Sequence, residues 1–170
     1  MANENDTPVA ENYFLKPGFL FVADKPTAIS TVVGSCVAIS LHDRHRLVCG
    51  ANHFQYPFIG NKHKATARYG NVAVAALIEM MLHNGSKLKH LETQIFGGAH
   101  NADISPQNIG RENVGVARKA ITRKKIPIVS EDVGGQKGRK VVIDTNTNQI
   151  IVVKVDKLRV GDWYPYANGR

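Results

Sequence analysis

The chain has 170 residues, 43% of them hydrophobic, which is the size and composition of one globular domain able to bury a core. Its formal charge is +8, from 22 Lys and Arg against 14 Asp and Glu, but no nucleic-acid-binding motif accompanies the charge and aromatics between the basic clusters are sparse. No apolar run reaches the roughly 18–20 residues that span a bilayer, and the polar, acidic start MANENDTPVAENY lacks the basic n-region of a signal peptide, so a cytoplasmic protein is expected.

Taken in chain order, residues 1–12 read as a flexible polar segment, 13–157 as one domain and 158–170 as a tail. Phe19 to Ala23 predicts a short strand ended by Asp24-Lys25-Pro26. The β-branched run from Ala28 to Leu41 predicts two strands about a turn or bulge at Gly34, and Leu47 to His53 a third beyond the turn at Asp43–Arg46. Residues 55–70, with Pro57, Gly60 and Gly70, read as a loop. Asn71 to His83 carries a 3.6-residue apolar face and stops at Asn84-Gly85, so it predicts a helix. Glu92 to Phe96 predicts a strand running into Gly97-Gly98, Asn113 to Lys124 a second helix, and Ile126 to Val129 a short strand. Past the glycine loop at 133–138, Val141–Asp144 and Ile150–Val155 flank Thr145-Asn146-Thr147-Asn148 as a hairpin. The fold class expected is α+β: a layered sandwich of mixed and antiparallel sheet with about two main helices packed outside.

Candidate chemistry begins at Gly34-Ser35-Cys36, where a cysteine after a glycine turn can present its sulfur beside backbone N–H groups. His53 follows seventeen positions later, and a short Asp43–Arg46 turn would set the two segments side by side. Alone, the pair is better explained by a packing cysteine. Cys49 reads as packing, and both cysteines are expected to be free thiols. His42, His45, Cys49 and His53 fit no standard zinc spacing, so no metal site is expected. Neither Gly97-Gly98 nor Gly134-Gly135 continues into the G-K-[ST] of a phosphate loop.

The ordered motifs are more specific. GSCVAISLHD at 34–43, NHF at 52–54, FGGA at 96–99, Asn108-Ile109-Gly110-Arg111-Glu112-Asn113, and Glu131-Asp132-Val133-Gly134-Gly135 with Gly138-Arg139-Lys140 resemble the chemoreceptor glutamine deamidase family, CheD. The resemblance runs from about Phe19 to Val155. It implies a cysteine amidohydrolase without metal or organic cofactor, in which Cys36 is the nucleophile and His53 its base. A hydroxyl residue that orients the histidine falls on Ser30, with Thr31 its neighbour as the alternative. Thr31, Gly34, Ser35, Asn52, Gly97 and Gly98 are expected to shape the site or its oxyanion hole. The implied substrate is glutamine on the cytoplasmic helical domain of chemoreceptors, converted to glutamate through a thioester, with no nucleic acid and no membrane insertion. A CheC-type phosphatase is the further partner the family suggests. The competing class is a binding module of the same fold whose chemistry is idle.

Overall fold

The computed structural model describes residues 10–163. Among the described residues, nine strands form two sheets: β1 (Glu11–Phe14), β3 (Thr27–Val33), β8 (Gly138–Asp144) and β9 (Ile150–Val155) in one, and β2 (Leu20–Val22), β5 (Val48–Phe54), β4 (Val37–Asp43), β6 (Leu91–Gly97) and β7 (Ile128–Val133) in the other. Most neighbours are antiparallel; β1 with β3 and β6 with β7 are parallel. The helices α1 (Gly70–His83) and α2 (Ile109–Arg123) pack on the five-stranded sheet, and a short α3 (Val160–Trp163) follows β9. This is the expected α+β sandwich.

Two cores define three layers. Val37, Ile39 and Leu41 of β4 share one core with Ala73, Val74, Leu77 and Met81 of α1 and Val114, Ala117 and Ile121 of α2. Alternate residues supply the other: Ala38, Cys49 and Ala51 meet Ile29, Val33, Val141 and Ile143 of the four-stranded sheet. Because β4 is flanked by β5 and β6 and covered on both faces, all seven of its residues are buried. Each large aliphatic side chain enclosed this way, such as Leu77, stabilises the fold by about 1.5–3 kcal/mol.

Several boundaries differ from expectation. The first strand reaches back into the segment expected to be mobile, because Glu11 and Asn12 pair in parallel with Thr27 and Ala28. The second helix begins at Ile109 rather than Asn113, since the Asn108 side chain accepts the Arg111 N–H at 2.9 Å and caps the earlier turn. In the loop at 55–70 a single 3-10 turn forms at Lys62–Lys64. The tail enters the fold as α3, with Asp162 held 2.7 Å from Lys140 Nζ; Tyr164-Pro165-Tyr166 lie outside the described residues.

Candidate active site

Between the two sheets lies a seam that gathers most of the expected site residues. In the β4–β5 ladder Ala38 stands opposite His53, and Cys36 comes two residues before Ala38, in the same inter-sheet core. Cys36, in the bend just before β4, therefore lies in the layer that His53 faces from β5. His53 is fully buried and Cys36 is 8% exposed.

From the facing sheet, Thr31 of β3 sets its Oγ1 2.8 Å from His53 Nδ1 and, at 2.8 Å, donates to the Leu15 carbonyl. A hydroxyl has one proton to give. With that proton on the Leu15 oxygen, Thr31 Oγ1 accepts, so His53 Nδ1 carries the hydrogen and Nε2 is the basic nitrogen. The threonine thus selects the tautomer and fixes the ring plane.

Ser30, expected against the imidazole, is not there. Successive residues of β3 face opposite ways, and Ile29, Thr31 and Val33 are the residues turned into the seam. Thr31 occupies the place by strand parity. Asn52 is also on the wrong face: it pairs with Ile39 on the helix side of the sheet, where its Oδ1 accepts the Ile39 N–H at 3.3 Å.

The glycines behave as site-shaping residues. Gly98 N donates to the Cys36 carbonyl and Ala99 N to the Gly34 carbonyl, both at 2.8 Å, tying the end of β6 to the cysteine turn. Gly97 has φ 107°, and a Cβ there would run into the Cys36 carbonyl oxygen. That position admits only glycine without displacement of the nucleophile's backbone.

Burial dominates the electrostatics. It pushes the Cys36 thiol up to about 11, with its own backbone N–H acting the other way. It holds His53 down to about 4, against the Leu15 carbonyl, which favours the protonated ring. Thiol and imidazole are therefore both neutral at rest. Cys49 is free, like Cys36, and burial among apolar residues pushes it up to about 12, consistent with a packing role.

Access comes from a cleft of about 490 Å³ lined by Gly34, Ser35, Ala99, His100 and Ile104 among others. A second cleft of about 520 Å³, between α2 and the Gly134-Gly135 turn, shares His100 and Gln136 with it. Cys36 lines neither; it lies one residue behind Ser35. The cleft beside Ser35 is the one relevant to the thiol.

One residue at the site is absent from the expected site residues, although it ends one of the ordered motifs and was expected to open the second helix. Asn113, fully buried on the inner face of α2, donates through Nδ2 to the Ser35 carbonyl at 2.9 Å and the Gln55 carbonyl at 3.0 Å. Its signal was the Asn108–Asn113 motif, whose last residue sits a full turn inside the helix.

The arrangement is a buried thiol, imidazole and hydroxyl held at the seam of a layered α+β sandwich, the constellation of a cysteine-centred site. Residues 57–154 match the family model for CheD chemotactic sensory transduction. A Sulfurimonas denitrificans protein named probable chemoreceptor glutamine deamidase CheD is 35% identical over 150 residues, covering 86% of this chain and 96% of its own. An Anaeromyxobacter dehalogenans protein named probable chemoreceptor glutamine deamidase CheD 1 is 41% identical over 131 residues, 76% of each chain. The chain belongs to the CheD family. Among solved structures, the Bacillus licheniformis hypothetical protein YfiH aligns with a TM-score of 0.45 at 13% identity, over 69% of this chain and 49% of that one.

Proposed function

We propose that this protein is a chemoreceptor glutamine deamidase that works through a Cys36 thioester with His53 as general base and Thr31 as its orienting partner. The observation that carries the chemistry is the 2.8 Å contact between Thr31 Oγ1 and His53 Nδ1, which leaves Nε2 as base on the face shared with Cys36. The names borne by its relatives support the substrate. The family-model match begins after His53, so the roles of Cys36 and His53 rest on geometry and chemistry.

A substrate carboxamide enters beside Ser35. Cys36 Sγ attacks the amide carbon as His53 Nε2 takes the thiol proton, and the carbonyl π electrons move onto oxygen. Backbone N–H groups at the cysteine turn stabilise that oxyanion, foremost that of Cys36. The tetrahedral intermediate collapses, the C–N bond breaks, and His53 returns the proton to the departing ammonia. Water then attacks the thioester carbon while His53 takes its proton. Collapse gives the glutamate carboxyl and restores the thiol. The chain's charge of +8 suits an acidic receptor helix, and that attraction weakens as salt rises.

The test is incubation of a chemoreceptor cytoplasmic fragment with the unmodified protein and with Cys36→Ala. Ammonia release and glutamine-to-glutamate conversion should occur only with the former. Equal deamidation by the alanine variant overturns the mechanism. Binding of the fragment by the unmodified protein with no ammonia released would favour the idle binding module instead.

A further inference from the structure

Three consecutive carbonyls at the cysteine turn are held from outside the turn. Gly34 accepts from Ala99 N, Cys36 from Gly98 N, and Ser35, between them, from Asn113 Nδ2. The two carbonyls at Gly34 and Cys36 are gripped by the backbone of one neighbouring strand end. The middle one depends on a single side chain from α2.

That middle carbonyl belongs to the peptide whose N–H is that of Cys36. In a trans peptide the C=O and N–H point in opposite directions, so whatever fixes the Ser35 oxygen also aims the Cys36 N–H. Among the described residues, the Cys36 N–H donates to no carbonyl, and the group it faces is its own sulfur. Asn113 also binds the Gln55 carbonyl, two residues beyond His53, with the other Nδ2 proton. Two carbonyl acceptors leave no ambiguity about which amide atom faces them. One side chain therefore bridges the backbone just before the nucleophile and just after the base. Close approach makes this possible: Gly110, one turn earlier on α2, lies so near Gly98 and Ala99 that a Cβ there would meet both of their carbonyl oxygens.

We infer that Asn113 is a positioning residue, which turns the Ser35–Cys36 peptide so that the Cys36 N–H is the preset donor to the oxyanion. The inference rests on the deamidase reading above and adds a residue to it. Without the amide clamp, the peptide can rotate and offer its carbonyl where the oxyanion forms, which repels it. The effect falls on the transition state and not on substrate binding.

The experiment uses Asn113→Ala and Asn113→Ser on a receptor fragment. Loss of one oxyanion donor typically lowers kcat about 10²–10³-fold, so kcat should fall by about that much in Asn113→Ala with KM little changed, and less in Asn113→Ser, which keeps one donor. Unchanged kcat, or a loss carried wholly by KM, overturns the assignment. A second measurement needs no variant. With 15N-cysteine label, a peptide aldehyde replacing the target glutamine should form a hemithioacetal on Cys36. The Cys36 amide proton should then move downfield while that of Cys49 stays in place. A hemithioacetal with no shift at Cys36 overturns the proposal; no adduct at all is instead the failure of the thiol-hydrolase reading.

Discussion

Replacing Thr31 by valine tests the site where its geometry is most explicit. Valine matches threonine in shape and removes only the hydroxyl that accepts from His53 Nδ1 and donates to the Leu15 carbonyl, each at 2.8 Å. Both lost bonds are enclosed, and removing one partner of a buried hydrogen bond costs about 1–3 kcal/mol. Stability should fall by about that amount, read from urea midpoints. If the lost bond also stabilises the imidazolium formed during attack, about 1.4–2.8 kcal/mol appears in the barrier, which is about 10–10²-fold in kcat. KM should not move, because Thr31 faces the ring and not the cleft. Thr31→Ser keeps the oxygen and should recover most of the rate. Ser30→Ala is the control: its side chain lies on the other face of β3, so its kcat should stay within about twofold of the unmodified protein, as for substitutions away from such contacts. Wild-type kcat in Thr31→Val, or a larger loss in Ser30→Ala, would refute the tautomer argument.

Acid should destabilise the fold through His53. Burial lowers its pKa from 6.5 to about 4, so the unfolded chain binds a proton the folded chain refuses; the stability this neutral ring contributes is present above pH 6.5 and is lost as pH falls through 4, about 3 kcal/mol in full. Denaturant melts between pH 4 and 7 should show a slope that His53→Gln flattens, and parallel curves for the two proteins would count against it. Gly97→Ala and Gly134→Ala separate clash from strain. Both glycines have positive φ, but a Cβ at Gly97 meets the Cys36 carbonyl and Val33 whereas at Gly134 it meets nothing within 4 Å. Gly134→Ala should cost about 1–2 kcal/mol and Gly97→Ala more than about 3 kcal/mol with loss of activity, and equal urea midpoints would sink the distinction.

The strands of the central sheet were legible because their side chains announce them. Ala28–Leu41 is rich in β-branched residues, and the single glycine at its centre marks the turn that presents Cys36. What could not be read was which neighbour of a pair faces inward. Ser30 and Thr31 are chemically alike, and their parity is set by pairing with Val142 and Val141 of a strand more than a hundred residues away. Asn52 and His53 pose the same problem on β5, where His53 faces the seam between the sheets and Asn52 the helix side. The first strand was missed because Glu11-Asn12-Tyr13-Phe14 has no alternation; it is held by a parallel neighbour, a non-local cause. The start of α2 was set four residues late because Gly110 reads as a helix breaker. It is glycine there for its close approach to Gly98 and Ala99, and that choice carries Asn113 into the site.

The neutral resting pair constrains the order of events. Burial raises the Cys36 thiol and lowers the His53 imidazole, so both groups disfavour a preformed thiolate–imidazolium pair. On the proposed mechanism, proton transfer then runs together with C–S bond formation, where the negative charge leaves sulfur for the carbonyl oxygen as it develops. That requires the oxyanion donor to be in place beforehand, since neither partner offers charge to orient it. The backbone clamps at Gly34, Ser35 and Cys36 meet this requirement by fixing the turn before substrate arrives. The same burial leaves the thiol poorly reactive towards stray electrophiles, and on the proposed mechanism it favours a carboxamide that can reach both the sulfur and the Cys36 N–H.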